Sequence, residues 1–275
     1  MKALRNIRLS LAAIFLAASL GALFLGARPY TLGRMAEKSQ IILSGVSISA
    51  GTTLVWLLLT FVLGRVYCST VCPVGTLSDI WMKGRGFFPR LRNRRFRYRH
   101  RSRWSVHILW VYILCLLIGV VGMPFLIEPW NMMRNVAATV NPDAVQPTWT
   151  AIGFSVLTGI IGGIAAMILV AVLSILDGRR FCTDFCPLGT ALGLLSTYSL
   201  YHLEIDRDKC TSCGICEEIC RSQCVKSVSR YIDDTRCVRC FDCINRCPAE
   251  AIRFQMNRNR PATPLMIRTK KRSGT

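Results

Sequence analysis

Histidine and acidic side chains are scarce in this 275-residue sequence, which holds three histidines (His100, His107 and His202) and 15 Asp and Glu against 35 Lys and Arg. A b-type haem between helices needs histidines facing one another inside a bilayer, and only His107 falls within an apolar run, so intrinsic haem is not expected. No Gly-rich phosphate loop, flavin fingerprint or nucleophile triad stands out, which sets aside nucleotide-dependent and hydrolytic chemistry. The net charge of +20 is strongly basic. None of the nucleic-acid-binding motifs accompanies it, and nucleic acid is not expected as a partner.

Charge is missing altogether from four long stretches. Leu9–Ala27, Ile41–Leu63, Ser105–Met123 and Ile152–Leu176 contain no Lys, Arg, Asp or Glu, and each is close to the ~20 residues that an α-helix needs to cross the hydrocarbon layer. With 52% hydrophobic residues and a mean hydropathy of +0.37, the sequence predicts a multi-pass α-helical membrane protein with four transmembrane helices. Lys2, Arg5 and Arg8 precede the first run and Leu25-Gly26-Ala27 ends it, so a cleaved signal peptide is the competing reading of that run. Only Arg28, Arg34, Lys38 and Arg134 lie in the segments after the first and third runs, whereas residues 83–103 are densely basic with no acid. Positive charge resists translocation. Both termini and the 83–103 loop are therefore expected on the cytoplasmic side of a bacterial inner membrane, with the basic surplus facing anionic headgroups.

Cysteine, in contrast, is plentiful: there are 14. Cys210-x2-Cys213-x2-Cys216-x3-Cys220 and Cys237-x2-Cys240-x2-Cys243-x3-Cys247-Pro248 have the spacing that holds two [4Fe–4S] clusters, three cysteines per loop and the fourth reaching to the other cluster. Cluster 1 is expected on Cys210, Cys213, Cys216 and Cys247, and cluster 2 on Cys237, Cys240, Cys243 and Cys220. Zinc knuckles rarely use four cysteines at this spacing, and disulfides need an oxidising compartment. Arg221 replaces the proline that would follow Cys220, and Cys224 offers a second thiolate one helical turn on, so the ligand from this segment is Cys220 by position with Cys224 as the alternative. Short β-like runs at Leu203–Asp206, Val228–Ile232 and Ala251–Phe254 flank the loops and predict a small α+β module that depends on its clusters for folding.

A second cysteine pattern ends the second and fourth apolar runs: Gly64-Arg65-Val66-Tyr67-Cys68-Ser69-Thr70-Val71-Cys72-Pro73 and Gly178-Arg179-Arg180-Phe181-Cys182-Thr183-Asp184-Phe185-Cys186-Pro187. Each half of the membrane region is thus two helices followed by Cys-x3-Cys-Pro, a duplication that places matched elements about a pseudo-twofold axis. Each proline suits the first turn of a new helix. Helix N-termini and the nearby Arg65, Arg179 and Arg180 are expected to lower the thiol pKa values. Cys68, Cys72, Cys182 and Cys186 are a candidate additional redox or metal site, the simpler alternative being cysteines that only pack at helix ends. Cys115, alone in the third run, reads as a small apolar filler.

Four helices, paired Cys-x3-Cys-Pro elements and a C-terminal double [4Fe–4S] region together resemble the NapH/MauN family of ferredoxin-type membrane proteins over essentially the whole chain. The resemblance implies a quinol dehydrogenase membrane component, an electron-transfer subunit rather than a stand-alone enzyme. It would take electrons from the quinone pool and pass them to a partner ferredoxin-type protein or c-type cytochrome serving a periplasmic reductase or dehydrogenase. The alternative is an iron–sulfur assembly, maturation or redox-sensing membrane protein without steady electron flux. The domains are then 1–200 (membrane region), 201–256 (ferredoxin-like) and 257–275 (a basic, disordered tail). Quinol oxidation releases protons, and Glu128 in Ile127-Glu128-Pro129-Trp130-Asn131 is a carboxylate of the outer loop. It reads more simply as a solvated loop residue, with Trp130 and Trp149 in an interfacial aromatic belt and His107 as a solvated interfacial histidine.

Overall fold

The computed structural model describes residues 2–24, 50–87, 89, 95–120, 127–140 and 156–256. Trp149, the segment 257–275, the Leu25-Gly26-Ala27 sequence and the first residues of the second and fourth apolar runs lie outside the described residues. In chain order the helices are α1 (Lys2–Phe24), α2 (Ala50–Leu63), α3 (Tyr67–Thr70), α4 (Pro73–Lys83), α5 (Arg103–Ile118), α6 (Pro129–Val140), α7 (Val156–Asp177), α8 (Pro187–Ser196), α9 (Ile215–Glu218) and α10 (Asp242–Arg246). The strands are β1 (Tyr201–Ile205), β2 (Val225–Lys226), β3 (Tyr231–Ile232) and β4 (Ile252–Met256).

The expected apolar runs form α1, α2, α5 and α7. Within α1 and α7, Ala3–Phe24 and Ile160–Asp177 are long and apolar enough to cross a membrane; α2 and α5 have 14 and 16 described residues. These helices turn large apolar side chains outward, among them Ile14, Leu58, Leu117 and Ile168. Contiguous apolar surface of that kind is stable against lipid rather than water. His107 is also exposed, stacked edge-on against Trp104.

One expectation is overturned between α5 and α7. Glu128 and Trp130 are each only 3% exposed, and the segment they begin folds as α6 instead of lying in solvent. Its Trp130, Met132, Met133, Ala137 and Ala138 enter the main buried cluster, and it packs on α7, α4 and α1. Gly163 of α7 permits the close approach, because a Cβ there would collide with Asn135. A sequence whose polar residues Glu128, Asn131 and Asn135 recur at helical spacing reads as water-facing until a partner surface is known.

The C-terminal module is two small antiparallel ladders. β1 pairs with β4, Tyr201 opposite Met256 and Ile205 opposite Ile252, and β2 pairs with β3, Val225 opposite Ile232. The expected Val228–Ile232 strand is shorter than its apolar pattern suggests. Arg230 has φ 50°, which breaks the extended run, and Val228 is exposed on the turn before it. The basic segment lies along this module: Phe96 N–H donates to Glu218 O (3.2 Å), Arg99 N–H to Gln223 O (3.0 Å), and Arg95 pairs with Glu218 at 2.5 Å.

Candidate functional site

Both halves reach their cysteines by the same backbone route. Gly64 (φ 82°) and Gly178 (φ 74°) end α2 and α7 in the left-handed region that glycine adopts without strain. A single turn follows, α3 in one half and a π-helical turn, Phe181–Phe185, in the other. Pro73 and Pro187 then open α4 and α8, with Cys72 (φ −64°, ψ 115°) and Cys186 (φ −70°, ψ 118°) as matching N-caps.

The halves are cross-tied at equivalent atoms. Arg65 Nη2 donates to Cys182 O at 2.9 Å, and Arg179 Nη1 donates to Cys68 O at 2.7 Å, so each arginine satisfies a carbonyl of the other repeat. Arg65 Nη1 also donates to Thr235 O of the C-terminal module (2.8 Å). Gly75 and Gly189 make room for these carbonyls, since a Cβ at either would collide with Cys68 O or Cys182 O. Cys68, Cys72, Cys182 and Cys186 are all buried in one cluster. Gly189→Ala should therefore cost about 1–3 kcal/mol by overpacking. Thermal unfolding in detergent should show this as a lowered midpoint, whereas Gly86→Ala, with open space around its Cβ, should leave the midpoint unchanged.

The expectation of lowered thiol pKa values is wrong for Cys72, Cys182 and Cys186. Burial, reinforced by the neighbouring Cys68 and Cys182, pushes Cys72 well up; burial carries Cys182 to about 11 despite Arg179 and Arg65; Cys186 also moves up, chiefly by burial. Arg180 is taken up by carboxylates, pairing with Asp177 at 2.6 Å and reaching Asp184 at 4.0 Å. Desolvation of these three thiols outweighs two guanidinium groups and a short helix end.

An ionic hub missed by sequence reasoning fixes the C-terminal module beneath the quartet. Arg179 grips Asp79 with two bonds (Nε to Oδ1 2.9 Å, Nη2 to Oδ2 2.7 Å), and Arg8 of α1 and Arg221 of the module reach the same carboxylate at 2.6 and 3.2 Å. Asp184, inside the second Cys-x3-Cys element, takes Arg236 Nη1 at 2.6 Å while Arg236 Nη2 donates to Thr183 Oγ1 at 3.0 Å. The available signal was composition: Glu37 and Asp79 are the only acids before Glu128.

In the module each expected quartet rings one cavity. Cys210, Cys213, Cys216 and Cys247 line one pocket, and Cys220, Cys237, Cys240 and Cys243 line another. Among the described residues no three Cys, His, Asp or Glu side chains close around a single-ion position. The loops match residue for residue at a 27-residue offset. Ser212 and Arg239, Gly214 and Phe241, and Gln223 and Glu250 all have positive φ. Left-handed residues alternating with ordinary ones turn successive N–H groups into the loop, a cradle for an anion. Four cysteine thiols around a largely apolar pocket, with N–H groups turned into the loop, fit a [4Fe–4S] cluster as donor set.

Cys220 and Cys224 lie side by side, Sγ to Sγ 3.4 Å, both on the second cavity. The Cys224 side chain, with N–H groups of Cys224, Val225 and Ser222, draws the Cys220 thiol down, while Cys224 is pushed up by its bonds to Cys220 and Cys237. The backbone N–H of Cys224 also donates to Cys220 Sγ at 3.4 Å.

A 4Fe-4S binding domain family matches residues 47–98 and 160–199, the two stretches that carry the Cys-x3-Cys-Pro elements, and a second 4Fe-4S binding domain family matches 203–226. The Ferredoxin-type protein NapH of Haemophilus influenzae is 25% identical over 201 residues, 69% of this chain and 62% of that protein. The Methylamine utilization ferredoxin-type protein MauN of Paracoccus denitrificans is 28% identical over 174 residues, 62% of this chain and 53% of that protein. The chain is a relative of the ferredoxin-type proteins NapH and MauN. It is also similar to an uncharacterized protein of Methanocaldococcus jannaschii, 28% identical over 201 residues, 71% of this chain and 74% of that protein. No solved structure matches the chain. Iron–sulfur is accordingly its cofactor class.

Proposed function

We propose that this NapH/MauN relative is a membrane electron-transfer protein that takes electrons from a quinol and hands them to a partner ferredoxin-type protein or c-type cytochrome. The carrying observation is a module with two cavities, each lined by a cysteine quartet, tied directly to a third cysteine quartet at the ends of apolar helices. Cys210, Cys213, Cys216 and Cys247 would hold one [4Fe–4S] cluster, and Cys237, Cys240, Cys243 and Cys220 the other. Cys68, Cys72, Cys182 and Cys186 would hold a third centre, supported by the 4Fe-4S family match over both of their segments. When bound, such clusters supply one-electron transfer. The protein contributes placement: Arg65 and Arg179 lock the two halves, and Asp79 and Asp184 clamp the module against them.

The four apolar helices would span the inner membrane, with the N-terminus, the basic loop and the module on the cytoplasmic side. The contact of Arg8 and of residues 95–99 with this end of the molecule supports that arrangement. Iron counting on anaerobically purified protein tests the centres. About twelve irons per chain should fall to about eight when Cys68, Cys72, Cys182 and Cys186 are all changed to Ala. A count of about eight that this change leaves unaltered removes the third centre. Mixing with a reduced quinol analogue tests the function. Rapid bleaching of cluster absorbance is expected, and clusters that stay oxidised would point to assembly or sensing.

A further inference from the structure

A carboxylate enclosed among membrane helices carries a large desolvation cost, and such residues line pathways or bind substrates. Glu128 is one. It is 3% exposed and doubly held: Tyr112 Oη donates to Oε1, and Asn131 Nδ2 donates to Oε2 at 2.6 Å.

Its position is beside the cysteine quartet of the membrane region. Tyr112 belongs to α5, which packs on α8 and on the π-helical turn carrying Cys182. Trp130, Met132 and Met133, the residues that follow Glu128 into α6, share one buried cluster with Cys68, Cys72, Cys182 and Cys186.

Further polar groups wait nearby. Trp130 Nε1 and both amide atoms of Asn135 are buried with no hydrogen-bond partner among the described residues. Glu128, Asn131 and Asn135 follow at i, i+3 and i+7, which is one face of the helix. Buried donors and acceptors without partners are costly and mark a place where a ligand or water completes the set. A carboxylate acceptor, amide and indole donors, and flat or flexible apolar neighbours match a hydroxylated aromatic ring.

We propose that Tyr112, Glu128 and Asn131 form the polar end of a hydroquinone-binding site, in which the Glu128 carboxylate accepts the hydrogen bond of a ring hydroxyl. This rests on the quinol reading above. Tyr112 and Asn131 hold the carboxylate oriented, and Trp130, Met132 and Met133 line the approach of the ring to the quartet.

Binding of a fluorescent hydroxyquinoline N-oxide, a quinol analogue, provides the test by quenching titration on the iron-loaded, detergent-solubilised full chain. Glu128→Gln should weaken binding about ten- to a hundredfold, the worth of a charge-assisted hydrogen bond, with iron content unchanged. Tyr112→Phe should weaken it less. If Glu128→Gln loses iron or fails to fold, Tyr112→Phe and Asn131→Ala carry the comparison. Wild-type affinity in the folded variants, in a protein whose clusters a quinol analogue does reduce, overturns this site and leaves the quinol function standing. A wild-type protein that neither binds the probe nor is reduced by quinol overturns both.

Discussion

Asp79→Asn should destabilise the detergent-solubilised protein by about 3–5 kcal/mol, the cost of stripping a buried charge of its partner. The effect is large because one carboxylate answers three arginines from three parts of the chain: Arg8 in α1, Arg179 between the repeats and Arg221 in the cluster module. Asparagine offers one acceptor oxygen and no charge. Arg179, 1% exposed and held by both carboxylate oxygens, would lose its counter-ion without gaining water.

The same hub sets an acid limit. Burial alone would raise the Asp79 pKa, but the guanidinium of Arg179, then those of Arg221 and Arg8, hold it well below the usual carboxylate range. A depressed folded-state pKa means that the stabilisation is complete above the unfolded value of about 3.9 and is lost as pH falls below it. The stability gap between wild type and Asp79→Asn should therefore be constant near neutrality and shrink below about pH 4, as followed by chemical unfolding at a series of pH values. A gap that widens on acidification would contradict this assignment.

On the ligand set proposed above, Cys220→Ala should remove the second cluster of the C-terminal module, whereas Cys224→Ala should leave its iron in place. The two thiols are 3.4 Å apart on one cavity, and only their hydrogen bonds tell them apart. Cys220 Sγ accepts from the Cys224 N–H at 3.4 Å, a hydrogen bond that favours a thiolate at Cys220. Cys224 lines the same cavity as Cys220 and Cys237. Iron per chain should fall by about four with Cys220→Ala. With Cys224→Ala the count should hold while the cluster's reduction potential shifts, because a hydrogen bond to ligand sulfur is lost. Equal iron loss in both variants would reverse the ligand assignment.

The parts legible in the sequence were those written in local spacing. The 2-2-3 cysteine runs gave both cavity linings, the repeated Gly-Arg and Cys-x3-Cys-Pro gave the matched halves, and charge-free runs gave α1, α2, α5 and α7. What escaped depends on residues far apart along the chain. Asp79 meets Arg179 across 100 positions, and Arg236 meets Asp184 across 52. No periodicity marks such pairs. Burial of α6 escaped for a related reason: Glu128, Asn131 and Asn135 look like a wetted face until α7 supplies Gly163 opposite them. The thiol pKa values were misjudged because nearby arginines can be read from letters, whereas the desolvation that outweighs them cannot.

The exchange of arginines between repeats also fixes when the site can come into being during synthesis. Cys68 and Cys182 are 114 residues apart, roughly 6–23 s at ribosomal speed. Throughout that interval the carbonyl awaited by Arg65 does not exist, and a prematurely released chain has no means of closing the four-thiol enclosure. A centre on this quartet, as proposed above, could then be assembled only in finished molecules.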